Sequence, residues 1–287
     1  MKSNLETLTE INLDDLVSSF GWQNYPILAR ILRFFFRAPA QTFARHAVEY
    51  DKTVGDKGIV AGGWNLTRRY DRDLRIVGAD RIPESAFLAL SNHPGMTDTV
   101  ALFAALNRDD LRIIALDRPF LNALPHTTSH LFYVYDDPAQ RMSLVRQVSA
   151  HLKKGGAVLT FPAGHIEPDP DIYPGAVESL SEWTDSVGVF IRMAPEAAIL
   201  PVLVRNVVAR KYSNHWLLNI KKTKEEKEKL ATALQLLGMV IFNEKPVTVT
   251  VQIGNPIYAK ELGSTETEVI HQAALDEMKR LIGNPDT

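Results

Sequence analysis

The chain has 287 residues, a formal net charge of −2 and no cysteine. This length allows one large domain, or one domain with a helical appendage, around a substantial core. The small net charge gives no support to nucleic-acid binding, and a chain without cysteine forms neither disulfides nor thiolate metal sites. We expect no membrane-spanning segment, since no stretch approaches about 18 unbroken apolar residues. We expect no signal peptide, because the N-terminus is acidic and lacks an apolar core.

Residues 1–55 differ in composition from the rest and predict a helical segment. Within it, Arg30, Arg33 and Arg37 fall within about 60° of one another on a helical wheel, beside a broad surface of Ile, Leu and Phe. This make-up is typical of a helix that lies in a bilayer interface. A helix docked on the protein's own core, with an arginine edge, fits equally well. The first alternative predicts a cytoplasmic protein that is peripheral to the inner face of a membrane.

The remainder, residues 56–287, alternates strand and helix patterns and predicts one α/β domain with a mixed sheet covered by helices. A helix is predicted after Pro138, another over residues 223–242, and a third at the C-terminus. For the third, Thr265 and Glu268 form the pattern of a capping box, and Gly283 marks the end. Strands are predicted at residues 74–78, 86–90, 111–117, 130–136, 157–161, 198–204 and 247–254.

A histidine and an aspartate five positions apart occur three times, as His46 and Asp51, His93 and Asp98, and His271 and Asp276. The first and third pairs lie in runs that predict helix, where such positions point about 140° apart and cannot meet. The second pair follows a short apolar strand, and the Pro-Gly step inside it forbids a continuous helix. Reversal of the chain there brings Asp98 back to the His93 ring, and a helix opens at Thr97 or Asp98. This layout predicts an active site.

The order of segments from residue 74 onwards resembles that of the glycerolipid acyltransferases, the family of the glycerol-3-phosphate and lysophosphatidic acid acyltransferases. Gly78 and the Asn92-His93-x4-Asp98 block match the opening of the family. FPAGHIEP at 161–168 is similar to the family's Phe-Pro-Glu-Gly-Thr-Arg block, and LPVLV at 200–204 and IGNPI at 253–257 are similar to its later blocks. The resemblance implies that residues 56–287 form a single acyltransferase domain.

The resemblance also implies an O-acyltransferase of membrane lipid synthesis. It would move a fatty acyl group from acyl-CoA or acyl carrier protein, with no bound cofactor or metal, to a hydroxyl of a glycerol-phosphate-type or lyso-lipid acceptor. His93 would act as the general base and Asp98 would orient its ring; no protein nucleophile is needed, because the acceptor hydroxyl attacks directly. The implied substrate-binding residues are Asn92, Arg118, Phe161, Pro162, Gly164, His165 and Glu167.

Departures from the family put a phosphate-bearing acceptor in doubt. Ala163 replaces the family's glutamate, His165-Ile166 replaces its Thr-Arg, and the arginine expected after the 130–136 strand is missing. Histidine cannot supply a guanidinium fork for bidentate phosphate binding. Arg118 is either a replacement phosphate ligand or a surface arginine. The acidic residues in or beside these blocks are Asp136, Asp137, Glu167, Asp169 and Asp171.

Two other functions stay open. The altered blocks fit a catalytically silent lipid-binding member of the same fold. The segment from His126 to His130, with Asp136 and Asp137 nearby, fits a metallohydrolase with histidine ligands, although the glutamate of an H-E-x-x-H site is absent. For the acyltransferase, the expected partners are the lipid acceptor, acyl-CoA or acyl carrier protein, and a membrane surface, but no nucleic acid.

Overall fold

The structure, a computed structural model, describes residues 4–135 and 137–284. Within these ranges the helices are α1 Asn4–Phe20, α2 Pro26–Lys57, α3 Ile59–Tyr70, α4 Asp98–Leu106, α5 Pro119–Asn122, α6 Pro125–Thr128, α7 Pro138–Lys153, α8 Ser186–Met193, α9 Arg210–Ser213, α10 Lys224–Phe242, α11 Ala259–Leu262 and α12 Thr267–Gly283. The strands are β1 Asp73–Val77, β2 Phe87–Ser91, β3 Arg112–Leu116, β4 Leu131–Val134, β5 Ala157–Thr160, β6 Ala198–Arg205 and β7 Thr248–Ile253.

The strands form one mixed sheet in the order β1-β7-β6-β2-β5-β3-β4. Neighbouring strands are parallel except for β6 and β7, which are antiparallel. Each of the seven predicted strand segments overlaps one of these strands, so the predicted mixed α/β fold is confirmed. Strands β2 and β6 lie in the middle, and every residue of both is buried. Their unbroken apolar sequence follows from burial on both faces of the sheet.

Two hydrophobic cores lie on opposite faces of the sheet, because successive side chains of a strand point to opposite sides. In β2, Phe87 and Ala89 belong to the core beneath α3 and α4, whereas Leu88 and Leu90 belong to the core beneath α7, α8 and α12. The central strand is therefore held from both sides, and the residues that follow it start from a fixed point.

The N-terminal helices pair with each other through charged groups. Arg33 bonds to the carboxylates of Glu10 and Asp14 on α1, and Arg37 bonds to Glu10 at 2.8 Å. Two of the three predicted interfacial arginines therefore face α1, which corrects the picture of a free cationic stripe. The predicted boundary at residue 55 lies inside α2, and the helical part of the chain continues through α3.

The opposite side of α2 carries an exposed apolar face. The exposed fraction is 76% for Ile27, 79% for Phe34 and 69% for Phe35. Among the helices in residues 4–135 and 137–284, none is long and apolar enough to cross a membrane. The expectation that the segment does not span a bilayer agrees with this finding, and the apolar face has no partner among these residues that would bury it.

The predicted capping box at the last helix is wrong. Helix α12 begins at Thr267, and Glu266 at its N-cap makes no side-chain capping bond. A capping box is present instead at α10, where the Thr223 side chain and Glu226 exchange hydrogen bonds with backbone N–H groups. Both sequences have the same spacing of Thr and Glu, so only the position of the first helical turn distinguishes them.

Candidate functional site

The candidate site lies where three neighbouring parallel strands end. Strand β2 pairs in parallel with β5 on one side and with β6 on the other. The residues that follow their carboxyl ends are Asn92 and His93, Phe161 and Pro162, and Asn206. Ligands of open α/β sheets bind at such carboxyl ends. Segments about 70 residues apart in sequence meet here because parallel pairing places these ends at one edge.

Asn92 fixes the start of the turn that follows β2. Its Oδ1 accepts a hydrogen bond from the Val204 backbone N–H at 2.8 Å, and its Nδ2 donates to the Val204 carbonyl at 2.9 Å. The side chain is buried and thereby continues the β2–β6 contact beyond the last strand residue. Asn92 was predicted to bind substrate; its amide is instead committed to β6 and positions His93.

His93 and Asp98 form the predicted pair. The distance from Nδ1 of His93 to Oδ2 of Asp98 is 2.8 Å, and the Gly95 N–H donates to the same oxygen at 2.8 Å. Gly95 has a φ of 86° and Met96 a φ of 57°, the left-handed conformations that reverse the chain between the two. Because a carboxylate only accepts, the ring carries its proton on Nδ1 and leaves the Nε2 lone pair for a substrate.

The first of the two competing histidine–aspartate pairs does not form. His46 contacts the Tyr70 hydroxyl through Nδ1 at 2.7 Å, and Asp51 accepts hydrogen bonds from Thr127. His271 and Asp276 both lie within helix α12, and Asp276 accepts instead from Gln272 at 2.8 Å. The helical geometry that argued against these pairs in the sequence also separates them in the structure.

The electrostatic surroundings of His93 favour its protonated form. Burial lowers the pKa of the imidazole, but the charge and the hydrogen bond of Asp98, together with the charge of Glu167, outweigh burial and raise the pKa above its ordinary value. The ring also stacks on Phe161, with centroids 4.2 Å apart. Phe161 thus orients the ring from the loop after β5, and Asp98 orients it from α4.

Glu167 joins the two loops of the site. Its Oε2 accepts from the His93 N–H at 3.0 Å, and its own N–H donates to the His93 carbonyl at 2.8 Å. Its Oε1 accepts from Trp183 Nε1 at 2.8 Å and from Ser179. Burial raises the pKa of this carboxyl. Glu167 was predicted to bind substrate, but protein donors occupy both of its oxygens, and it braces the His93 backbone.

The remaining predicted binding residues have different positions. The Pro162 carbonyl accepts from Thr184 at 3.1 Å, and Gly164 has a φ of 72° in the turn that brings the loop back. His165 contacts the Ala163 carbonyl through Nδ1 and Glu182 through Nε2, each at 2.8 Å. Its ring nitrogens are therefore engaged by the protein.

Arg118 lies exposed just before α5. Burial raises the pKa of Asp15 on α1, and the charges of Lys229 and Arg118 oppose that rise. The role of Arg118 in substrate binding stays a prediction.

Most of the acidic residues in or beside the altered blocks make contacts that stabilise the fold. Asp169 accepts from the backbone N–H groups of Asn206, Val207 and Val208 at 3.0, 2.8 and 3.2 Å. Asp171 pairs with Arg205 at 3.0 Å. Asp137 caps helix α7, and Asp136 lies outside the described residues. The carboxylates of Asp169 and Asp171 are therefore bonded to donors of the protein itself.

A cavity of about 820 Å³ adjoins the turn between His93 and Asp98. Its walls are α1, α2, α10 and the turns that contain Pro94 to Met96 and His165 to Glu167. One part is apolar and is lined by Phe36, Pro39, Leu236, Leu237 and Val240. Another part carries charged groups, namely Asp15, Glu225, Glu228 and Lys229. Sequence reasoning missed these α10 residues, since their position beside the cavity depends on the packing of α10 against the N-terminal helices.

The segment from His126 to His130 does not gather metal ligands. It forms the short helix α6 and a turn, and His130 contacts the Leu111 carbonyl through Nδ1 at 3.0 Å. In residues 4–135 and 137–284, no group of three or more His, Asp or Glu side chains is placed to hold a metal ion. The metallohydrolase alternative therefore lacks a geometric basis in this segment.

The sequence of residues 73–205 matches the model of a protein family described as Acyltransferase. These residues run from the start of β1 to the end of β6 and include His93, Asp98 and Phe161. No curated protein matches the chain. The fold is similar to that in the crystal structure of the 1-acyl-sn-glycerophosphate (LPA) acyltransferase, PlsC, from Thermotoga maritima, with 15% sequence identity, 96% of each chain covered and a TM-score of 0.45.

The charges around His93 predict a raised pKa of its ring, which a titration can test. We expect the His93 ring to titrate above the ordinary value of 6.5, and Asp98→Asn to lower that pKa because burial then meets less opposition. Nitrogen-15 histidine spectra recorded against pH measure both. His46 is the internal control, since burial and the charge of Arg69 lower its pKa in either protein. A wild-type His93 that titrates below the ordinary value contradicts the electrostatic description of the site.

Proposed function

We propose that the acyltransferase domain carried by this chain at residues 73–205 transfers a fatty acyl group from a thioester, acyl-CoA or acyl carrier protein, to a hydroxyl of a lyso-lipid acceptor. The observation that carries the proposal is the His93–Asp98 pair at 2.8 Å, at the carboxyl end of β2 and beside a cavity large enough for a lipid chain. Cavities of a few hundred to about 1,000 Å³ are the usual size of ligand sites.

The chemistry requires only one protein base. Nε2 of His93 takes the proton of the acceptor hydroxyl as the oxygen attacks the thioester carbonyl carbon, and the Asp98 carboxylate stabilises the imidazolium that forms. Collapse of the tetrahedral intermediate breaks the carbon–sulfur bond, and the proton passes from His93 to the leaving thiolate. The products are an ester and a free thiol, and the base returns to its starting state. The raised pKa of His93 makes the ring a stronger base toward the acceptor hydroxyl.

The apolar part of the cavity is the proposed site of the acyl chain. Its lining by Phe36 and Pro39 of α2 and by Leu236, Leu237 and Val240 of α10 offers hydrocarbon contacts next to the catalytic turn. Burial of a methylene group stabilises by about 0.8 kcal/mol. A long acyl chain therefore binds through this surface, and the thioester at its head is held near His93.

Loss of either member of the pair should abolish most of the activity. We expect His93→Ala and Asp98→Asn each to lower acyl transfer roughly 10²- to 10⁴-fold, the range found when a base or its orienting carboxylate is removed. The measurement is turnover of labelled acyl-CoA with a lipid extract. His46→Ala and His271→Ala are the controls and should retain wild-type rates. A catalytically silent lipid-binding protein would bind the lipid but show no turnover that depends on His93.

Peripheral membrane binding is proposed for the exposed apolar face of α2. Arg33 and Arg37 are already paired with α1, so the attraction to anionic lipid rests less on charge than the sequence suggested. The apolar side chains carry the interaction instead, at roughly 1.5–3 kcal/mol for each one buried. Such binding would hold α2, which also forms a wall of the cavity, at the membrane surface that supplies lipid substrates.

We expect Phe34→Ser/Phe35→Ser to weaken vesicle binding by at least tenfold, because two aromatic anchors are lost. Co-sedimentation with anionic vesicles at low and high salt measures this. Met142→Ser on α7, which removes a side chain that is 55% exposed, is the matched control and should bind as wild type. Equal binding by the double variant and the wild type would contradict the assignment of this face.

The charged part of the cavity favours an acceptor without a phosphate monoester. Asp15, Glu225 and Glu228 line it against one lysine, Lys229. A dianionic head group meets like charge there and finds no arginine fork for bidentate bonds. A zwitterionic or cationic lyso-lipid avoids this repulsion. These carboxylates belong to α1 and α10, whereas those of Asp169 and Asp171 are bonded to donors of the protein.

We therefore expect glycerol 3-phosphate and lysophosphatidate to be poorer acceptors than a zwitterionic or cationic lyso-lipid. The test compares kcat/KM for each acceptor with one acyl donor at fixed ionic strength. Glu228→Gln should raise the use of lysophosphatidate relative to the other acceptors. Glu226→Gln, which changes an exposed residue two positions earlier on α10, should not. A tenfold preference for lysophosphatidate, about 1.4 kcal/mol, would overturn this expectation and leave the catalytic pair untouched.

A further inference from the structure

Asp71 is a buried carboxyl group next to the catalytic turn. It follows α3, and its backbone N–H donates to the Thr67 carbonyl at 2.8 Å. Its exposed fraction is 1%. Oδ1 accepts a hydrogen bond from the Thr97 hydroxyl at 2.9 Å, and Oδ2 is buried with no hydrogen-bond partner in the described part of the chain. The catalytic steps above make no use of this group.

The group is costly to bury. An incompletely bonded carboxyl group loses its hydration without full replacement. Burial raises the pKa of Asp71 to about 7, although the Thr97 hydrogen bond and the charge of Lys245 oppose the rise. The end of α3 does not require a buried carboxyl group. What the Asp71 side chain adds to the structure is its hydrogen bond with Thr97.

Thr97 stands at the point where the catalytic turn becomes α4. It occupies the N-cap position, yet its side chain makes no capping bond to the helix and donates to Asp71 instead. The residue before it, Met96, holds a left-handed φ of 57°. Such a conformation is unfavourable for a residue other than glycine and persists only where the surroundings hold it. The Thr97–Asp71 bond is one such restraint.

Helix α3 is a firm base for this restraint. It packs so closely on α4 that a Cβ atom added to Gly63 would lie 2.7 Å from the Val100 carbonyl oxygen. The Asp71 side chain therefore links a fixed helix to the first turn of α4. The first residue of that turn, Asp98, holds the His93 ring.

We propose that Asp71 is a positioning residue for the reaction, which acts through Thr97 to fix the start of α4 and hence the placement of Asp98 against His93. The proposal rests on the proposed function. Because the group touches no substrate, its loss should lower kcat and leave the KM values unchanged. A misplacement of about 1 Å at a reacting group lowers the rate by up to roughly 10²-fold.

Four single variants and one double variant test the contact. We expect Asp71→Ala and Thr97→Val each to lower kcat by about 10- to 100-fold, with the KM for the acyl donor within about twofold of wild type. Asp71→Asn keeps an acceptor oxygen and Thr97→Ser keeps the hydroxyl, so both should retain near-wild-type kcat. The double variant Asp71→Ala/Thr97→Val should be no slower than the slower single variant, because both changes break one interaction.

Asp51→Ala is the matched control. Asp51 is also buried and also accepts from a threonine hydroxyl, that of Thr127, but it lies on α2 away from the turn. It should lower thermal stability and leave kcat unchanged. Wild-type kcat in folded Asp71→Ala, additive losses in the double variant, or an Asp71→Asn protein as slow as Asp71→Ala would each overturn the proposal.

The His93 titration separates this proposal from the proposed function. If wild-type protein transfers no acyl group, the proposed function fails, but the pKa of His93 still reports its contact with Asp98. We expect Asp71→Ala to lower that pKa and Asp51→Ala to leave it unchanged. An unchanged His93 pKa in folded Asp71→Ala overturns the positioning role, whether or not turnover is seen.

Discussion

One carboxylate oxygen fixes the conformation of the turn between His93 and Asp98. Oδ2 of Asp98 accepts hydrogen bonds both from the His93 ring and from the Gly95 N–H, each at 2.8 Å. The same atom therefore fixes the backbone reversal and the tautomer of the His93 ring. Asp98 is buried, so water does not compete for either bond. The Asn92 amide and the Glu167 carboxylate then fix the position of this turn relative to the sheet.

The site separates its acidic groups by task. Glu167 and Asp169 are buried acceptors that tie loops together, and their oxygens are taken by protein donors. Asp98 accepts a hydrogen bond from the His93 ring. The carboxylates of Asp15 and Glu228 line the cavity instead. A count of acidic residues in the sequence cannot make this separation, because it depends on which backbone N–H groups lie within reach of each side chain.

Much of the fold follows from local patterns. The seven strands were predictable because the central ones are buried on both faces and read as unbroken apolar runs. The Pro-Gly step singled out His93 and Asp98 among three similar pairs. The contacts that escaped prediction are long-range: Asn92 meets Val204, Glu167 meets His93, and Arg33 meets Glu10. In each case the sequence shows a polar residue but carries no signal for its partner. The false capping box at Thr265 shows the same limit at short range.

The three consecutive phenylalanines of α2 divide between two surroundings. Phe34 and Phe35 are exposed on the outer face of the helix, whereas Phe36 lines the cavity. Helix α2 therefore forms both the exposed apolar face and a wall of the cavity. A small rotation of α2 about its axis alters both at once. By thermodynamic reciprocity, bilayer binding that shifts this helix would change the affinity of the cavity for its ligand, and an occupied cavity would change the affinity for the bilayer by the same factor.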